Sequence, residues 1–124
     1  MLEQIKKAAK TFFVKMHAGG LAKSCTIFKV EDSYDPEQGI VTPINSEIAS
    51  TLIILRDLTV KEKSDMAKLG FTITQDTKKG VLLMDEIDPG VLANGDKIVA
   101  GGEEYSYTGI TAQNPATFEI LLRP

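Results

Sequence analysis

Apolar residues recur at steps of three and four at the start of the chain: Leu2, Ile5, Ala9, Phe12 and Met16, with Ala8 and Phe13 beside them. That spacing predicts an amphipathic helix over about residues 2–17, because 3.6 residues per turn stack such positions on one face. Lys6, Lys7, Lys10 and Lys15 fall mostly off the stripe. Gly19 and Gly20 supply a stop, since glycine readily takes the left-handed conformation that ends helices. A helix this short is marginal alone, so its apolar face must be covered by the rest of the domain or by another subunit.

Beyond Gly20 the period changes. Residues 24–30 read as a strand, and Tyr34-Asp-Pro-Glu-Gln-Gly39 as a turn in which Pro36 presets one dihedral and Gly39 relieves another. Ile40 to Thr42 resume in extended form, and Pro43, which has no N–H, marks an edge or a strand end. Glu47 to Leu58 is the longest β-like run, rich in branched side chains, and suits a central strand. Residues 60–69 are either a short helix stopped by Gly70 or part of a long polar loop. Phe71 to Thr74 reads as a strand, Lys78 to Gly80 as a turn, Val81 to Met84 as a buried strand, and Asp88-Pro89-Gly90 as a turn. Three sheet elements close the chain: Lys97 to Ala100, Glu104 to Gly109 and Phe118 to Leu122. Gly101-Gly102 suits the tight hairpin between the first two, and Asn114-Pro115 separates the last two. Gly95 and Asp96 precede the first of them, where the carboxylate can cap local amides. The pattern predicts one domain over residues 1–124, mainly β. It is a small antiparallel barrel or sandwich of six to eight short strands, with an N-terminal helix and a polar loop or short helix around 59–80.

Composition narrows the functional classes. At 124 residues, 43% apolar and 25% charged, the chain can bury a core without staples. A net charge of −3 argues against a dedicated nucleic-acid binder. The single cysteine, Cys25, fits a buried thiol in a reducing cytoplasm. No apolar run approaches a membrane span. His17 is the only histidine, and no Cys or His spacing suits zinc. Asp85, Glu86 and Asp88, and Glu103 with Glu104, flank turns and read as solvated faces. No catalytic, cofactor-binding or metal-ligating residue is predicted. Tyr105 and Tyr107 share one strand face and are assigned to the core.

These features together resemble the small head–tail joining proteins of tailed bacteriophages and prophages, of the head-closure or tail-completion type. The resemblance is carried by the N-terminal helix, the Tyr34-Asp-Pro-Glu-Gln-Gly39 hairpin and Asn94-Gly-Asp-Lys-Ile-Val-Ala-Gly-Gly-Glu-Glu-Tyr-Ser-Tyr-Thr108, and it spans nearly the whole chain. It implies a non-enzymatic protein without cofactors, located in the virion neck and, during assembly, in the bacterial cytoplasm. There it would form a homo-oligomeric ring that joins portal or connector to tail and surrounds the DNA channel. Such rings are commonly dodecameric at head closure and hexameric at the tail terminator. The polar stretch 59–80 departs from the simplest pattern and leaves the position within the neck open.

Interface candidates are the helix stripe (Ile5, Phe12, Met16), the hairpin (Tyr34, Asp35) and the lysines Lys61, Lys63 and Lys68, which could meet DNA through phosphate attraction alone. Gly39, Gly95, Asp96, Gly101 and Gly102 are structural turn residues. Two other readings compete: a host β-barrel module binding a protein or an oligonucleotide, and a small hydrolase or isomerase with Asp85, Glu86 and His17 convergent in a polar cleft.

Overall fold

The chain folds as a closed six-stranded antiparallel barrel carrying one helix on its wall, in a computed structural model that describes residues 2–124, the side chain of Pro43 excepted. Helix α1 (Leu2–Ala18) leads into strands β1 (Ala22–Asp35) and β2 (Ile40–Asp57). Helix α2 (Val60–Lys68) follows, then β3 (Lys78–Leu83), a 3₁₀ turn at Pro89–Val91, β4 (Lys97–Ala100), β5 (Glu103–Gln113) and β6 (Thr117–Arg123). Around the barrel the order is β1-β2-β3-β6-β5-β4, with β4 pairing back onto β1.

Inward positions alternate along each strand as a two-residue period requires. Cys25, Ile27, Ile53, Leu82, Ile98, Tyr105, Tyr107, Phe118, Ile120 and Leu122 form one buried cluster. A barrel of this size is filled by its own side chains. Burial pushes the Cys25 thiol up to about 12, so it stays an inert core group. Tyr105 and Tyr107 belong to this core as expected. The Tyr105 hydroxyl, pushed up to about 12 by burial and by Glu103, donates to the Glu103 carboxylate at 2.8 Å.

Turn chemistry explains the connections. α1 ends as the two glycines suggest: Gly20 has φ 81°, and the Leu21 N–H reaches back to the Met16 carbonyl at 2.8 Å. Gly101 and Gly102 both have positive φ, as a mirror-image hairpin turn demands. The Asp96 carboxylate accepts from the Ala93 N–H at 2.9 Å, the predicted cap. The Asn114 side chain accepts from the amides of Ala116 and Thr117 and fixes the last turn.

Three expectations are corrected. The strands are not all short: β1 has 14 residues and β2 has 18, because the segments expected on either side of Pro43 are one continuous strand. Phe71 to Thr74 is not a strand. A closed barrel offers no free edge for it, and the segment is held instead by a turn in which the Thr77 hydroxyl accepts from the Thr74 N–H. Lys78 to Gly80 is not a turn but the first half of β3. Gly80 is needed there for space, since a Cβ would lie 2.8 Å from Ile53 Cδ1 and 3.3 Å from Leu122 Cδ1. Gly80→Ala is therefore expected to cost about 1–3 kcal/mol through overpacking, read as a lower midpoint in urea unfolding.

Candidate assembly surface

Strands β1 and β2 outrun the barrel. β4 pairs with β1 only from Cys25 to Phe28, after which residues 29–35 pair with residues 40–46 alone. The result is a two-stranded arm seven residues long on the β1 side, about 23 Å at the usual rise per residue. A β-bulge marks its root: the register shifts between Ile27 and Phe28, which face Ala49 and Glu47, so Ile48 is the extra residue. Bulges bend strands, and this one sits where the arm leaves the wall. The tip is closed by Pro36 and Gly39 (φ 66°), with the Asp35 carboxylate accepting from the Glu37 N–H at 3.0 Å. Pro43 pairs with Asp32 inside the arm, where both strands are edges and a missing N–H costs nothing.

The arm's apolar side chains are uncovered. Opposed pairs share a face, which puts Val30, Tyr34 and Val41 on one side and Ile40 and Ile44 on the other. All five are exposed; Tyr34 is at 64% and Val41 at 56%. A lone two-stranded ribbon is marginal in water, and its unpaired edges invite pairing. Such an arm gains most from a neighbour that covers it.

Helix α1 is only half used by its own domain. Phe13 is 2% exposed against the barrel wall, and Lys6, Ala9 and Met16 share its partly buried face. Lys6 pairs with Asp85 at 3.0 Å and Lys10 with Glu86 at 3.4 Å, which ties the helix to the loop after β3. The predicted stripe is thereby split: Met16 turns inward, while Ile5 and Phe12 stay exposed, Phe12 at 53%.

Residues 60–69 resolve as helix rather than loop. Thr59 and Glu62 form a capping box, and Glu62 also takes a two-pronged contact from Arg56, both arms at 2.7 Å. Lys79 bridges Glu62 and Glu119, and Lys78 pairs with Asp57. The Arg56 guanidinium first, then the Thr59 amide, hold the Glu62 carboxyl well below its usual range. Among the interface lysines, Lys63 is spent on the Gln75 carbonyl at 3.4 Å, whereas Lys61 and Lys68 are exposed. Glu62→Gln should remove the ion pairs to Arg56 and Lys79 while its amide oxygen keeps the capping contact, at a cost of about 0.5–1 kcal/mol near neutral pH. Because the folded carboxyl is depressed, this stabilisation is present above its ordinary value of 4.5 and fades as pH falls. The gap between wild type and variant, measured by urea titration, should narrow progressively below that pH.

The groups suggested for hydrolysis do not converge. Asp85 and Glu86 meet Lys6 and Lys10, whereas His17 lies seven residues beyond Lys10, about 10 Å along the helix, with its ring 3.5 Å from the Ser24 hydroxyl. Among the described residues no group of three His, Cys, Asp or Glu side chains could hold a metal, and no helix is long and apolar enough to cross a membrane. The arm's uncovered faces are what the sequence reading understated: Tyr34 and Asp35 were singled out, but Val30, Val41 and Ile44 were not. The available signal was the branched side chains placed on either side of the Tyr34–Gly39 turn.

No protein-family model matches the chain, and no curated protein does. Among solved structures it is similar to protein SF1141 from Shigella flexneri 2a, solved in solution. The TM-score is 0.58 and the identity 14%, over 82% of this chain and 89% of that one. At that identity the likeness concerns the fold alone.

Proposed function

We propose that this chain is a structural assembly module, a β-barrel that binds copies of itself and neighbouring proteins to build a ring. The observation that carries the reading is the arm of residues 29–47, which leaves the barrel with apolar side chains exposed on both faces. The half-used helix α1 supports it further. A projecting ribbon that is marginal alone gains stability when a neighbour covers it, and a repeated heterologous contact of such elements closes a ring where its rotation closes.

The sequence resemblance supports the neck of a tailed phage as the setting, at head closure or at tail completion, with portal or connector and tail proteins as partners. In that setting Lys61 and Lys68 are available for generic contact with DNA in the channel. A protein-binding barrel in a host cell uses the same surface. The oligonucleotide version loses support, because Tyr105 and Tyr107 lie in the core and cannot stack on bases. Electron microscopy of the purified chain, alone and with portal and tail proteins of the same particle, tests the proposal. Rings of uniform order are expected. A chain that stays monomeric in every mixture overturns it.

A further inference from the structure

The uncovered faces of the arm and of α1 are opposite in charge. Residues 29–47 carry Glu31, Asp32, Asp35, Glu37 and Glu47 against Lys29 alone. Residues 2–18 carry Lys6, Lys7, Lys10 and Lys15 against Glu3 alone. Lys6 and Lys10 are already paired within the chain, but among the described residues neither Lys7 nor Lys15 has a carboxylate within 4.0 Å. Those two lysines, with Gln4, Ala8, Thr11 and Phe12, form one exposed stripe along the outer side of α1. On the arm, Asp32 and Glu47 share a face with Val30, Tyr34 and Val41, because Phe28 opposes Glu47 and Tyr34 opposes Val41 across the register. Each surface thus presents apolar side chains between charges of one sign. Neither is covered within its own chain.

We infer that the arm of one copy lies along the outer face of α1 on the next, with Val30, Tyr34 and Val41 against Ala8 and Phe12, and with Asp32 and Glu47 facing Lys7 and Lys15. The inference rests on the ring-forming reading and specifies its contact. It also sets aside the pairings of like surfaces. Arm against arm sets acid on acid, and helix against helix sets base on base. Like charges facing each other at an interface are strongly disfavoured. The pairing of arm with helix remains, and where it runs head to tail rather than reciprocally between two copies it propagates around an axis, as the ring reading requires.

The test uses two double variants of the full chain. Asp32→Lys with Glu47→Lys makes the arm basic, and Lys7→Glu with Lys15→Glu makes the helix face acidic. None of the four side chains has an ion-pair partner among the described residues, so both proteins should melt as the wild type does. By sedimentation, each alone should self-associate at least about tenfold more weakly than wild type, since attraction at two positions becomes repulsion. An equimolar mixture should recover association, because the basic arm of one fits the acidic helix face of the other and the reverse pair is also complementary. Variants that assemble as well as wild type overturn the inference while leaving the ring reading intact, and so does a mixture that stays dissociated while wild type assembles. If the reversals spare wild-type-like rings but abolish capture of a tail or portal protein, the helix face belongs to that partner and the inference falls. A wild type that never assembles, alone or with those partners, overturns both.

Discussion

Replacing residues 31–44 with an Asn-Gly turn is expected to abolish self-association and leave the barrel folded. The shortened hairpin keeps Val30 opposite Asn45 as its last pair, and a two-residue mirror-image turn closes such a pair well. Nothing in the buried cluster comes from residues 31–44. The melting temperature should therefore shift by only a few degrees. The association constant should fall by at least about a hundredfold, because the deleted segment holds most of the aromatic and branched side chains that a neighbour would bury. Size-exclusion chromatography with light scattering across a concentration series checks this. A truncated chain that still assembles locates the contact elsewhere on the barrel, whereas one that fails to fold shows that the arm stabilises its own subunit.

Phe13→Ala should carry a large cost in stability. Phe13 is the one α1 side chain fully buried against the wall, and truncating a buried phenylalanine costs about 3–5 kcal/mol. The loss should be local first. A 17-residue helix is marginal once undocked, and the ion pairs from Lys6 and Lys10 are too exposed to hold it. Far-ultraviolet circular dichroism should show helical signal lost below the barrel transition, with fast amide exchange in residues 2–18. If that helix presents the face used by a neighbour, assembly weakens in parallel. A single unchanged transition would mean that the docking of α1 rests on contacts other than Phe13.

Much of the fold was legible because local chemistry and the final structure agree. The stop at Gly19-Gly20, the Gly101-Gly102 hairpin, the Asp96 cap and the Asp88-Pro89-Gly90 turn each follow from what one or two residues can do with their own backbone. Barrel or sandwich was the limit of that reading, since the pairing of β4 with β1 joins residues about 70 positions apart and no local pattern encodes it. The misplaced pieces share a cause. Gly80 looked like a turn residue, but its missing side chain makes room for Ile53 and Leu122, neighbours known only after the strands pair. Phe71 looked like part of a strand, yet its ring lies over Gly109, where a Cβ would sit 2.5 Å from Phe71 Cε1. The apolar stripe of α1 was recognised, but Phe12 and Phe13 are adjacent, and only the barrel decides which of them faces inward. For the candidate surface, the turn at Tyr34–Gly39 was readable and the arm was not, because a projecting hairpin is defined by where the third strand stops.

Amide hydrogen exchange, compared between dilute protein and protein concentrated into its assembled form, tests most directly whether projecting elements rather than the barrel wall join the subunits. Slower exchange on assembly is predicted for residues 29–47 and for α1, with β4, β5 and β6 unchanged. Protection confined to the barrel strands, or exchange that does not depend on concentration at all, would contradict it.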